Sequence, residues 1–289
     1  NTTASSNTAV GRSALGTNTT GANNSAFGDQ ALTANTTGDR NAAFGNGSLA
    51  ANTTGQYNTG FGQNALALNT TAHNNTAVGK SALEQNTTGA QNTAVGTYAL
   101  DANTTGAFNT GIGRGALSEN TTADYNTSVG YNSLLSNTTG TGNVAVGALT
   151  LDAATTATNN TAIGYNAGTE ITTGSENTIL GSSALDALTT GSNNTALGYR
   201  ALTLASTSSD NTAVGKDALL LNTTGSENTA VGGNALDANT TASGGAAFGK
   251  GSLTSNTTGA ENTALGTSSM QLNTTGAYNV AVGNQALKA

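Results

Sequence analysis

The residues best suited to chemistry in this chain are asparagines followed two places later by a hydroxyl. Asn-x-Thr and Asn-x-Ser form the acceptor pattern for N-linked glycans. Asn18, Asn35, Asn52, Asn69, Asn86, Asn103, Asn120, Asn137, Asn222, Asn239, Asn256 and Asn273 all satisfy it. So do Asn1, Asn23, Asn46, Asn74, Asn126, Asn159 and Asn193. A glycan-coated surface is one reading. The preferred reading is turn chemistry, in which Asn and Thr side chains bond local backbone. It fits the repeats that begin at Ala154, Ile171 and Leu188, which keep both threonines without the asparagine.

Other reactive groups are sparse. His73 is the sole histidine and has no acidic or histidine neighbour in its column of the repeat, so no metal site is expected. The absence of Cys removes disulfides and thiolate ligands. A repetitive glycosidase or lyase needs convergent Asp, Arg or Lys on a few adjacent coils. Here the 15 acidic and 8 basic residues are scattered, and no repeat is chemically distinct. A calcium-binding repeat needs an Asp in every coil, which is missing. No catalytic residue, cofactor or metal is therefore expected, and the chain does not read as an enzyme. A net charge of −7 leaves no footprint for nucleic acid, and no apolar run reaches membrane-spanning length.

What must position these side chains is an internal repeat. The 289 residues divide into seventeen repeats of 17, without an insertion, on the pattern N-T-T-G-x-x-N-T-A-V-G-x-x-A-L-x-x. Repeat position 11 is always Gly, as at Gly11, Gly28, Gly45, Gly62, Gly79, Gly96, Gly113 and Gly130, which marks a tight corner. Position 10 is always large and apolar, position 15 is Leu except at Gly168 and Met270, and positions 9 and 14 are small in nearly every repeat. Every Asp, Glu, Lys and Arg falls at position 5, 6, 12, 13, 16 or 17. Such sorting requires fixed inward and outward columns, because an unpaired buried charge is very costly.

Seventeen residues are too few for a helix-pair repeat, and Gly and Asn-Thr pairs interrupt any helix. The chain is expected to be all-β: a parallel β-solenoid, or β-roll, of seventeen 17-residue coils forming a single repeat domain over 1–289. Stacked strands lie ~4.8 Å apart, giving a rod of ~80 Å. Asn-Thr-Ala-Val-Gly reads as one strand, Ala-Leu at positions 14–15 as a second, and Asn-Thr-Thr-Gly as the turn between coils. The absence of Pro suits a fold that uses most backbone N–H groups between coils. Asn at position 7 is expected to form an amide ladder.

The large residue at position 10 and the Leu at position 15 are taken as the core. That is too little burial to offset the ordering of seventeen residues, so lateral association is expected, with the small position 9 letting neighbouring chains approach. Ala154, Ile171, Leu188 and Ala205 replace the asparagine of position 1 in four consecutive repeats. They are expected to align as an apolar docking stripe; drift in a tolerant column is the plainer alternative.

The motif Asn75-Thr76-Ala77-Val78-Gly79, repeated at Asn228-Thr229-Ala230-Val231-Gly232, resembles the head repeats of trimeric autotransporter adhesins. The full repeat is similar to 17-residue repeats of bacterial surface proteins and phage tail-fibre-like proteins. The resemblance implies a left-handed parallel β-roll, trimeric, on an extracellular fibre at a cell or virion surface. The function expected is therefore a structural filament or adhesin stalk, assembled by coil stacking and self-association into a trimer or filament, with surface glycans as further partners. The alternative is a carbohydrate- or ice-binding solenoid module. The chain starts and stops within the repeat pattern, so it is expected to be a segment of a longer fibre.

Overall fold

A computed structural model describes residues 3–288. The fold is all-β, a parallel β-solenoid in which each repeat contributes one three-residue strand. The chain falls into two units, each described by itself. The first, Asn1–Asn143, carries β1 (Thr8–Val10), β2 (Ser25–Phe27), β3 (Ala42–Phe44), β4 (Thr59–Phe61), β5 (Thr76–Val78), β6 (Thr93–Val95), β7 (Thr110–Ile112) and β8 (Thr127–Val129). The second, Val144–Ala289, carries β9 (Val144–Val146), β10 (Thr161–Ile163), β11 (Thr178–Leu180), β12 (Thr195–Leu197), β13 (Thr212–Val214), β14 (Thr229–Val231), β15 (Ala246–Phe248), β16 (Thr263–Leu265) and β17 (Val280–Val282). Within each unit consecutive strands pair in parallel with a shift of one repeat, so Thr76 faces Thr93 and Thr212 faces Thr229.

Among the described residues only positions 8–10 form strand. The second strand expected at positions 14–15 is instead a turn, because the backbone takes positive φ at positions 13 and 15, as at Ser81 (φ 55°) and Leu83 (φ 52°). Two successive strand residues cannot be built around such angles. Position 6 is also left-handed, as at Tyr57 (φ 58°). At position 11 the eight corner glycines from Gly11 to Gly130 have φ between 133° and 146°. A Cβ on Gly79 would stand 2.5 Å from the carbonyl oxygen of Gly96 on the next coil. Glycine is needed there both for the backbone angle and for the approach of the adjacent coil.

The interior is narrow. Column 15 supplies its large side chains (Leu32, Leu49, Leu66, Leu83, Leu100 and their successors), and columns 9 and 14 supply buried alanines. The expectation that the large residue of position 10 joins this core is corrected. Position 9 points in and positions 8 and 10 point out: in β5, Ala77 is buried while Thr76 and Val78 are partly exposed. The reason is space. A Cβ on Gly60, at position 9, would meet the Ser48 hydroxyl at 2.5 Å and Leu49 Cγ at 3.5 Å. The coil admits a small residue there and nothing larger without compensation.

One repeat shows that compensation. Gly168 stands where other coils have Leu, and the next strand carries Ile179 in place of a small residue. A Cβ on Gly168 would lie 2.8 Å from the Ile179 Cδ1 and 2.9 Å from that of Ile171. The isoleucines fill the volume that a leucine fills elsewhere.

Polar ladders complete the interior. In the first unit the Asn35 amide donates to Asn18 Oδ1 at 2.8 Å, Asn52 to Asn35 at 2.8 Å, and so on to Asn137, which donates to Asn120 at 3.0 Å. Each also donates to the carbonyl three residues ahead, as Asn86 does to Gly89 at 2.9 Å. Asn at position 7 forms the expected amide ladder from Asn126 and Asn143 onward, with Asn228 donating to Asn211 at 3.2 Å, whereas in the earlier coils it bonds backbone instead. The Asn75 amide donates to the Gly89 carbonyl (2.9 Å), and its Oδ1 accepts from the Asn92 backbone N–H (2.9 Å). Thr hydroxyls at position 2 donate to the carbonyl of the next position 2, as Thr87 does to Thr104 at 3.0 Å.

Candidate functional site

The sequence points to three groups of candidate residues, and the fold treats them differently. The twelve position-1 asparagines, Asn18 to Asn273, belong to the internal ladder, and all but the partly exposed Asn273 are buried. Their amide nitrogens are committed to hydrogen bonds, as with Asn86 and Asn239. In the folded chain they are not available for glycan attachment, so that expectation is corrected. Of the further sequons, Asn23, Asn46, Asn74, Asn159 and Asn193 are exposed and Asn126 is buried.

The docking stripe is corrected as well. Ala154, Ile171, Leu188 and Ala205 are fully buried, because position 1 is an interior column. They replace a polar ladder with apolar packing. Over the same repeats an amide ladder runs along position 7: Asn177 donates to Asn160 at 3.0 Å, Asn194 to Asn177 at 3.1 Å and Asn211 to Asn194 at 3.2 Å. Where the position-1 ladder of the first unit stops, Asn137 Oδ1 is buried without a hydrogen-bond partner.

His73 holds structure. Its Nδ1 accepts the Gln56 backbone N–H at 2.9 Å. Among the described residues no group of three or more His, Cys, Asp or Glu is placed to hold a metal ion, and no helix is long and apolar enough to cross a membrane.

The feature that sequence reading placed on the wrong side is the outward face of the strands. Positions 8 and 10 bring a column of mostly Thr beside a column of Val, Phe, Ile and Leu. The second column is open to solvent: Phe61 is 56% exposed, Ile112 39% and Leu180 48%. Phe27, Phe44 and Phe61 stack along it, with ring centroids 4.9 and 5.5 Å apart. No charge occurs at positions 7–11 of any repeat, so the face is apolar and hydroxylated without an ionic group. The available signal was the uniformity of column 9, always small apart from Ile179, beside the varied sizes of column 10. A packed interior fixes size, while a surface column tolerates variation.

Charged groups outside this face pair along columns. Arg12 grips Asp29 at 2.8 Å and Arg200 grips Asp217 at 2.8 Å, one coil apart in each case. The hydrogen bond from each arginine holds its aspartate below the ordinary carboxylate range. In column 16, burial pushes Asp101, Asp152 and Asp237 above that range. Asp152 Oδ1 and Asp237 Oδ1 are buried without a hydrogen-bond partner, which agrees with that direction.

No protein-family model matches the chain, and comparison with curated proteins finds no match.

Proposed function

We propose that the chain is a structural, non-enzymatic element of an extracellular fibre or adhesin stalk, and that it associates with further copies of itself through the outward face of its strands. The observation that carries this reading is the charge-free Thr and apolar face at positions 8 and 10. Three residues at ~3.3 Å rise and strands ~4.8 Å apart give a flat area of about 50 Å² per strand. The eight strands of the first unit then present about 400 Å², and the nine of the second slightly more. Each is as large as the largest apolar patch on an ordinary monomer, where such patches mark contact sites. A second copy is the occupant that matches the face best, because it repeats the same strand spacing along the same length, and repetition converts weak contacts into avidity.

Sedimentation velocity tests the proposal. Wild type is expected to sediment as a dimer, trimer or larger species. Val78→Lys with Val95→Lys, and Leu197→Lys with Val214→Lys, are expected to shift it to monomer with an unchanged circular dichroism spectrum. A monomeric wild type at tens of micromolar contradicts the proposal. The second reading, a binding module for ice or carbohydrate, draws on the same flat Thr-rich face; thermal hysteresis in a monomeric wild type would favour it.

A further inference from the structure

A separate site opens where a glycine interrupts an outward column. At position 13, consecutive repeats of the first unit carry Tyr98, Gly115 and Asn132. Gly115 has φ 67° and no side chain, so the column has a gap one coil high. The gap is a cavity of about 360 Å³, at the small end of the range for ligand pockets. Neighbouring columns wall it with Asp101 and Ser118, with Arg114, and with the aliphatic Leu135.

The walls are chemically mixed in a particular way. Tyr98, 37% exposed as a residue, lines the cavity, while the Lys80 ammonium, which does not, sits 5.7 Å from the ring centroid. Ser118 donates to Asp101 Oδ1 at 2.7 Å, which fixes that carboxylate against the cavity. Arg114 lies over the Tyr131 ring, 5.6 Å from its centroid, and its guanidinium brings further donors. Asn132 adds an amide that both donates and accepts. An apolar ring face, a carboxylate, a guanidinium and an amide around a space this size suit one ligand class: a ring with an apolar C–H face and a rim of hydroxyls.

We infer that the cavity between Tyr98 and Asn132 binds a single neutral pyranose ring. Its C–H face lies on Tyr98, and its hydroxyls bond Asp101, Arg114 and Asn132. A hydroxyl donating to a carboxylate and accepting from a guanidinium makes charge-assisted bonds, stronger than neutral ones. The site occupies positions 12, 13 and 16, not the strand face proposed for self-association, and stands without that proposal.

Asn occupies position 13 in other repeats, at Asn64, Asn132, Asn166 and Asn234, each with positive φ. Gly115→Asn therefore closes the cavity with a residue the column already accommodates. The added Cβ would meet Asn132 Oδ1 at 2.5 Å, the mobile end of a side chain. The test is saturation-transfer difference NMR of the full chain with methyl glycosides of glucose, galactose, mannose and N-acetylglucosamine at millimolar concentration. At least one is expected to show transfer concentrated on the ring C–H protons of one face. G115N and Tyr98→Phe separate the contributions: G115N is expected to abolish the signal and Tyr98→Phe to keep it, since the ring face is retained. Absence of transfer from all four glycosides, or equal transfer in wild type and G115N, overturns the inference.

Discussion

At the residue scale, Leu in column 15 shows how strongly the coil constrains its backbone. All of these leucines but the exposed Leu287 are buried, and each is held at φ near 50°, a conformation that costs about 1–2 kcal/mol for a residue with a Cβ. Packing in the column that supplies most of the large inward side chains outweighs that cost. Leu83→Ala is expected to destabilise by ~2–5 kcal/mol through the cavity left behind. Leu83→Gly deletes one more carbon but recovers about 1 kcal/mol of backbone strain, so it is expected to be no less stable than Leu83→Ala. Urea unfolding of both variants checks this; a glycine variant weaker than the alanine variant by more than ~1 kcal/mol would contradict it. Gly11 and its equivalents were legible in the sequence because glycine never varies there. The left-handed positions 6, 13 and 15 were not, because they accept Ser, Asn, Tyr, Glu and Leu and leave no glycine signature.

At the element scale, the short strand and the turn after it share one interior volume, so their side chains are chosen together. Gly168 and Ile179 are the clearest pair. Gly168→Leu alone is expected to destabilise by ~1–3 kcal/mol through overpacking. Ile179→Ala alone leaves a void and costs a similar amount. The double variant restores the arrangement of the other repeats, and a double-mutant cycle is expected to show at least ~1 kcal/mol of favourable coupling; additive effects would contradict the shared volume. The sequence displayed both exceptions, but in different columns of successive repeats, and only the fold brings them into contact. The same crowding explains the inverted sense of positions 8–10. Alternation along the strand was readable, whereas the choice of inner face depended on the space left by Leu at position 15 and Asn at positions 1 and 7.

At the scale of the whole molecule, the aspartates shifted from their ordinary range divide by sign. Asp101, Asp152 and Asp237 lie above the ordinary carboxylate range because of burial. The folded chain holds their protons more tightly than the unfolded chain, so stability rises as pH falls from neutral toward ~4. Asp29 and Asp217 lie below it because Arg12 and Arg200 bond their ionised forms. Their contribution is complete above ~4 and is lost as pH falls through their folded values. Tm is expected to climb gently from pH 7 to between 4 and 5 and to fall below that. Asp101→Asn, Asp152→Asn and Asp237→Asn together are expected to flatten the climb. A Tm that falls steadily from pH 7 would contradict the assignment.

Each unit also has an apolar strand face that its own coils leave open. Cryo-electron microscopy of the assembled particle tests most directly whether further copies cover it. Val78, Val95, Leu197 and Val214 are expected to be buried between chains, with the Thr column of position 8 beside them. An assembly joined through other positions, with the strand face open to solvent, would contradict the account.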